Sequence, residues 1–150
     1  MILYVLEEML RLRNHSVPVA TSFILRLSRP QEQTRFVVRP IYLALGVILA
    51  LILFPAKIAY ASIVIVAVGD PVAAYVGEKI GRTHIRSNKT LEGSIAGLLA
   101  SFLLAAVIVY PTAAFAGAVG GMLMEIVDVP DDNLTMPVAA GALISLVTIL

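Results

Sequence analysis

Five long apolar stretches fill the chain from residue 36 onward and restrict it to very few kinds of fold. They cover residues 36–55, 58–77, 91–110, 112–127 and 134–150. Each is close to the ~20 apolar residues that a helix needs to cross a bilayer. Hydrophobic residues make up 59% of the chain and charged residues only 14%, whereas a soluble domain has about 45–50% and about 25%. The sequence therefore predicts an all-α, polytopic membrane protein with about five transmembrane helices.

Composition also excludes several functions. The chain has no cysteine, so it has no disulfide, no cysteine-based zinc site and no thiol nucleophile. Its net charge of +1 gives no indication of a nucleic-acid partner.

The first 35 residues differ from the rest. They lack the early positive charge and the small-residue cleavage site of a signal peptide. We expect an N-terminal interfacial or cytoplasmic segment over residues 1–35, or the remainder of a lost span, followed by a membrane domain over residues 36–150.

Basic residues predict the orientation of the spans. Six Lys or Arg residues lie before or at the start of the first span and four lie between the second and third, whereas Lys57 alone lies on the other side. The positive-inside rule makes the face with ten bases cytoplasmic. We expect a multi-pass integral membrane protein with its basic loop in the cytoplasm.

Asp70 is an acid within an apolar span. An ionisable residue there costs about 2.5–3.5 kcal/mol on insertion scales and is a functional candidate. Because proline disfavours helix at the preceding residue and suits the first turn of a new helix, the sequence predicts a break at Gly69-Asp70-Pro71. The alternative is that Asp70 only caps the second half-helix.

Residues 77–94, GEKIGRTHIRSNKTLEGS, combine glycines, bases and the start of a helix. Backbone N–H groups at a helix start attract anions, and Lys and Arg form charge-assisted bonds to phosphate. The segment indicates a phosphate site. The alternative is a basic loop that only sets orientation or attracts lipid headgroups.

Acidic residues follow the fourth span. Glu125, Asp131, Asp132 and Asn133 supply the oxygen ligands that Mg²⁺ prefers. They predict a magnesium site, the alternative being a solvated acidic loop. Together with the bases and the broken helix, they indicate phosphoryl or nucleotidyl transfer to a lipid.

Small residues recur every four positions in the fourth span, at Ala113, Gly117 and Gly121. This spacing is typical of helix packing in membranes. It could also serve a homo-oligomer.

Residues 68–94, VGDPVAAYVGEKIGRTHIRSNKTLEGS, resemble the core of the CTP-dependent lipid kinases, a family that includes dolichol, phytol and CTP-dependent diacylglycerol kinases. The shared pattern is Gly69-Asp70, then Gly77, a basic loop and Lys89-Thr90-Leu91-Glu92-Gly93-Ser94. Residues 131–135, DDNLT, are similar to the closing segment of archaeal-type members. Such relatives usually begin with further spans and an Arg-Lys…His element, so we expect a fragment or a reduced member.

The resemblance implies transfer of the γ-phosphoryl group of CTP, with Mg²⁺, to a membrane lipid alcohol, a polyprenol of the dolichol type. It implies catalytic roles for Asp70, Lys89 and Glu92. The implied nucleotide-binding residues are Gly69, Gly77, Lys79, Gly81, Arg82, Arg86, Thr90, Gly93, Ser94 and Asn133. The implied metal ligands are Asp70, Glu125, Asp131 and Asp132.

Three alternatives stay open. Asp70, Ala73-Ala74-Tyr75 and Lys89-Thr90 also fit phosphatidate cytidylyltransferases, but the Lys-Asp and Asp-Arg pairs of their C-terminal signature are missing. A small transporter would explain a broken helix. A non-catalytic membrane subunit is the third alternative.

Overall fold

Five helices dominate the computed structural model, which describes residues 38–86, 89–127 and 131–149. In chain order they are α1 (Arg39–Leu53), α2 (Ala56–Ile80), α3 (Leu91–Ala105), α4 (Pro111–Ile126) and α5 (Asp132–Ile149). Two short strands, β1 (His84–Arg86) and β2 (Lys89–Thr90), separate α2 from α3. The prediction of a helix in each apolar stretch is confirmed, and the antiparallel β1–β2 hairpin is an addition to the predicted all-α class.

Two of these helices, α2 and α5, are long and apolar enough to cross a membrane, whereas α1 and α3 have 15 residues each. The chain divides into two compact units after Ala44. Of the first unit the structure describes only residues 38–44, and α1 begins within them. The predicted segment over residues 1–35 lies outside the described residues.

The predicted break at Gly69-Asp70-Pro71 is wrong, because α2 continues through Pro71 as one helix of 25 residues. Proline removes one backbone donor and crowds the preceding turn. Neighbouring helices can compensate for this loss, and α2 contacts α3, α4 and α5. Asp70 therefore lies inside a continuous helix, ten residues before its end, and does not cap a half-helix.

Small residues bring α2 and α3 into backbone contact. A methyl group placed on Gly97 of α3 would lie 2.6 Å from the carbonyl oxygen of Gly69 on α2. One turn nearer the hairpin, a methyl group on Gly93 would collide with the carbonyl oxygen of Ala73. Gly77 continues the series, since a methyl group there would lie 2.7 Å from Oγ1 of Thr90. Spacing of four residues on both helices is the small-xxx-small pattern of membrane packing.

The Ala113, Gly117 and Gly121 ridge of α4 packs within the chain. Methyl groups on Gly117 and Gly121 would meet Ile65 of α2, and one on Gly117 would also meet Ile144 of α5. All three ridge residues are buried. The helix-packing interpretation fits this arrangement, and the ridge offers no free face for the homo-oligomer that we considered.

Burial is the reverse of that in a soluble protein. Nine of the fourteen buried apolar residues in the described part of the chain are alanine. Many large apolar side chains are exposed, although Ile65, Met136 and Ile144 are buried, and on α3 the exposed ones repeat every four residues at Leu91, Ile95, Leu99 and Leu103. An interior of small residues brings helix backbones close together, and it leaves the large side chains to face the surroundings.

We expect Gly97→Val to destabilise the protein by about 1–3 kcal/mol or more, because added volume in a packed interior forces backbone shifts. Leu99→Val on the exposed face of the same helix is the control and should change stability by less than about 0.5 kcal/mol. Thermal unfolding in detergent, followed by circular dichroism, measures both. Equal losses of stability in the two variants would contradict the packing described here.

Candidate functional site

A lysine ammonium joins three carboxylates at the hairpin end of the helices. The Nζ atom of Lys89 lies 2.8 Å from Oε1 of Glu125, 3.2 Å from Oδ2 of Asp132 and 3.5 Å from Oδ1 of Asp70. The lysine belongs to β2, and the acids belong to α4, α5 and α2, respectively. We call these four residues the Lys89 cluster. It joins the catalytic candidates Asp70 and Lys89 to two of the predicted metal ligands.

The hairpin determines where Lys89 stands. The β2 strand ends at Thr90, whose Oγ1 accepts a hydrogen bond of 3.2 Å from the N–H of Gly93 and so caps α3. Thr90 is buried against Gly77 and Gly81. Because its neighbour is fixed in this way, Lys89 starts from a rigid position, and its long side chain reaches back to Asp70.

The three carboxylates differ in their access to solvent. The Glu125 side chain is 1% exposed, whereas those of Asp132 and Asp70 are 28% and 33% exposed. The shortest contact of Lys89 is with the buried acid. The cluster thus has an inner ion pair, Lys89–Glu125, and an outer pair of aspartates that solvent reaches.

Lys89 carries its proton in this environment. Partial burial alone would lower the pKa of its ammonium, but the hydrogen bond to Glu125 and the charges of all three carboxylates outweigh burial and raise the pKa above its ordinary value. Opposite charges within a few ångströms favour the charged form. The ammonium is therefore a fixed positive charge at neutral pH.

Two buried polar atoms beside this site have no hydrogen-bond partner, Oε2 of Glu125 and Oγ of Ser94. The contact between α3 and α4 brings them to the same region. A methyl group on Gly97 of α3 would contact Met122 of α4, and Ser94 and Glu125 lie one helical turn from these two residues, towards the hairpin. Unsatisfied buried polar atoms are uncommon and call for an explanation. Three carboxylates and one ammonium also leave the Lys89 cluster with a formal charge of −2.

Glu92 and Asp131 hold backbone in place. The Glu92 carboxylate accepts hydrogen bonds of 3.1–3.2 Å from the N–H groups of Arg82 and Thr83, which ties the hairpin to the start of α3. Oδ1 of Asp131 accepts a 3.0 Å bond from the N–H of Asn133 and caps α5. Each has a positioning role here, outside the Lys89 cluster.

The remaining nucleotide-binding candidates fall into two groups. A methyl group on Gly77, Gly81 or Gly93 would collide with a neighbouring atom, and one on Gly69 would lie 3.0 Å from Sδ of Met122, so all four glycines stand where helices or the hairpin pack closely. The basic candidates Lys79, Arg82 and Arg86 are exposed near the hairpin, and Lys79 lies 6.0 Å from the ring centre of Tyr75. Asn133 donates to its neighbour Asp132 at 3.3 Å.

Of the four predicted metal ligands, Asp70, Glu125 and Asp132 meet at Lys89, whereas Asp131 caps α5. Among residues 38–86, 89–127 and 131–149, no group of three or more histidine or acidic side chains is arranged to hold a metal ion. Lys89 already stands among the carboxylates as their cation. The two outer aspartates are nevertheless a donor set that Mg²⁺ uses, since this ion commonly takes one or two carboxylates and completes its shell with waters and phosphates.

Sequence reasoning missed two features of this site. It gave Lys89 a catalytic role and Glu125 a role in metal binding, so it did not foresee their pairing. It also missed the Gly93-x-x-x-Gly97 spacing on α3, which was visible beside the similar ridge on α4.

No protein-family model matches this chain, and neither a curated protein nor a solved structure matches it. The likeness of residues 68–94 to CTP-dependent lipid kinases therefore rests on the residues named above.

We expect Lys89→Met to destabilise the protein by about 3 kcal/mol, because it leaves the buried Glu125 charge without its partner. The double variant Lys89→Met/Glu125→Gln removes both charges and should recover most of that loss. Chemical unfolding in detergent micelles measures the two free energies. A double variant as unstable as the single one would show that the ion pair does not hold these helices together.

Proposed function

We propose that this chain is a multi-pass membrane enzyme that transfers the γ-phosphoryl group of CTP to a lipid alcohol of the polyprenol type. One observation carries the proposal. Acidic groups from α2, α4 and α5 meet the lysine of the Lys-Thr-x-x-Gly-Ser segment, at the end of the bundle where exposed bases lie. Phosphoryl transfer needs these groups, since its catalysis consists mainly of positioning and charge neutralisation.

The distribution of side chains supports a bilayer location. Two helices are long and apolar enough to span a membrane, and large apolar residues are exposed on α1, α3 and α4 as well. A face of this kind is costly in water and costs nothing against lipid tails. We infer that all five helices lie in the membrane.

The distribution of charge supports a cytoplasmic site. Lys79, Arg82, Arg86 and Lys89 lie at the hairpin end, and Lys57 lies near the opposite end of α2. Basic residues favour the cytoplasmic side. On this orientation, CTP reaches the site from the cytoplasm and the lipid hydroxyl reaches it from the bilayer.

Asp70 is the proposed base. Its Oδ1 faces Lys89, which leaves Oδ2 to accept the proton of the lipid hydroxyl. The hydroxyl oxygen forms a bond to the γ-phosphorus, and the bond between that phosphorus and the β–γ bridging oxygen breaks. The electron pair of that bond leaves with CDP, and the products are the lipid phosphate and CDP. A positioned base of this kind contributes about 10²–10⁴-fold to the rate.

Exposed basic residues and the Mg²⁺ bound with CTP are the remaining parts of the proposed site. Lys79 and Arg82, which are exposed near the hairpin, bind the triphosphate in this proposal through charge-assisted hydrogen bonds. Mg²⁺ bound together with CTP would supply charge neutralisation at the phosphate oxygens. The choice of CTP follows from the resemblance of residues 68–94 to the CTP-dependent kinases.

The test uses purified protein, Mg²⁺, and CTP labelled at either the α or the γ phosphate, with polyprenols, diacylglycerol and phosphatidate as acceptors. We expect label in lipid from the γ position only, and chromatographic mobility identifies the acceptor. Label from the α position only would make the chain a cytidylyltransferase. No transfer from either position would overturn the proposal in favour of a transporter or a non-catalytic subunit.

We expect Asp70→Asn to lower kcat by about 10²–10⁴-fold, because the amide cannot take the hydroxyl proton. Asp131→Asn is the matched control, since the same change at a helix cap preserves capping and should leave kcat within about twofold. Initial rates of lipid phosphorylation measure both. Full activity in Asp70→Asn would remove Asp70 from the mechanism.

A further inference from the structure

Asp70 stands at the edge between the buried and the exposed sides of α2. Val66 and Ala73, four residues before it and three after it, are buried. Ala67 and Ala74, three residues before it and four after it, are exposed. Because residues three and four positions apart lie on the same helix face, the Asp70 side chain, which is 33% exposed, borders on both sides. It is therefore reached from the exposed side of α2 as well as from the Lys89 cluster.

The exposed side of α2 next to Asp70 carries little side-chain volume. Tyr60 and Tyr75 are 55% and 64% exposed, and between them the exposed residues of α2 are Ala67, Pro71 and Ala74. Their spacings of four and three place these small residues in a single line along the helix, which we call the α2 strip. On α3, by contrast, the exposed line consists of leucine and isoleucine. A hydrocarbon chain can therefore approach the backbone of α2 more closely than that of α3.

A spanning α2 places the α2 strip at the depth of the lipid chains. This helix is long and apolar enough to cross a bilayer, and exposed tyrosines of such a helix typically lie at the membrane–water interface. Asp70 precedes Tyr75 by five residues, which corresponds to about 7.5 Å along the helix axis, towards the membrane interior. A molecule that approaches Asp70 over the α2 strip therefore comes from the bilayer and not from water.

The free oxygen of Asp70 selects a hydrogen-bond donor. Oδ1 lies 3.5 Å from Nζ of Lys89, which leaves Oδ2 as an acceptor. A hydroxyl group among lipid chains costs free energy while it has no partner, and a carboxylate gives it a charge-assisted hydrogen bond. The hydrocarbon chain of the same molecule then lies along the α2 strip. A lipid with one chain and a terminal hydroxyl meets both requirements.

We infer that the α2 strip binds the chain of a single-chain lipid alcohol, and that Ala67 and Ala74 let its hydroxyl group reach Oδ2 of Asp70. The inference rests on the proposed function for the choice of an alcohol. It deepens that function by giving the acceptor lipid a binding surface and a direction of approach. Because the strip is a single line of residues, it favours a polyprenol over diacylglycerol, which has two chains.

The experiment measures the binding of tritiated geranylgeraniol, a short polyprenol, to the full chain immobilised on scintillation proximity beads in detergent, with neither nucleotide nor metal ion. Ala67→Leu and Ala74→Leu place a large side chain on the α2 strip. Each should weaken binding at least about tenfold, since small changes of volume at an apolar site are worth this much. Ala142→Leu makes the same change at an exposed position of α5 and should leave the affinity within about twofold.

Competing ligands test the hydroxyl group and the single chain. Unlabelled geranylgeraniol should displace the label, whereas its methyl ether, which cannot donate a hydrogen bond, should compete at least about tenfold more weakly. Diacylglycerol should also compete more weakly than geranylgeraniol, and equal competition would contradict the preference for one chain.

Circular dichroism checks the fold of each variant, and Ala67→Val, which adds less volume and should weaken binding in the same direction, replaces a leucine variant that does not fold. Equal affinity in the strip variants and Ala142→Leu, equal competition by the methyl ether, or no saturable binding at all would overturn the inference. Because this assay needs no turnover, the two proposals fail separately. Saturable binding without phosphate transfer would overturn only the kinase, and phosphate transfer with unchanged affinity in the strip variants would overturn only the α2 strip.

Discussion

Backbone contact between α2 and α3 sets the position of Lys89 relative to Asp70. Gly93 and Gly97 bring α3 against the carbonyl groups of Ala73 and Gly69. At that separation Thr90 fits beside Gly77, and the short β2 strand has only one place to lie. Lys89 then extends along α2 to Asp70, and the same ammonium reaches α4 and α5. A larger residue at either glycine would move the strand and with it Lys89, the cationic member of the Lys89 cluster.

Small residues and charged residues stabilise this arrangement of helices in different ways. Helix association in lipid lacks the hydrophobic driving force available in water, so it depends on close packing and polar contacts. The small residues supply the packing along α2, α3 and α4. Lys89 supplies a polar contact shared by three helices, and it donates a directed hydrogen bond to Glu125, the most buried of its partners.

The sequence predicted the helices well because the length and apolarity of a segment leave few alternatives in a membrane. The resemblance also implied that Asp70, Lys89, Glu125 and Asp132 would serve one site, and the structure brings the four together at one end of the helices. The sequence could not predict that Pro71 would be accommodated, because neighbouring helices determine whether a proline breaks a helix or stays within it. Local spacing also could not show that Glu92 and Asp131 hold backbone, since a carboxylate that caps and one that binds metal are the same residue type.

The arrangement of small residues inside and large ones outside changes what mutation does to this chain. In a water-soluble domain, the bulky core positions are the sensitive ones and the surface tolerates variety. Here Leu99 and Leu103 face outward and can exchange with other apolar side chains, whereas the glycines at 93 and 97 can exchange with almost nothing. Sequences that diverge from this one while keeping its shape should therefore retain their smallest residues and vary their largest. Sequence identity among them would then be concentrated at positions with little or no side chain.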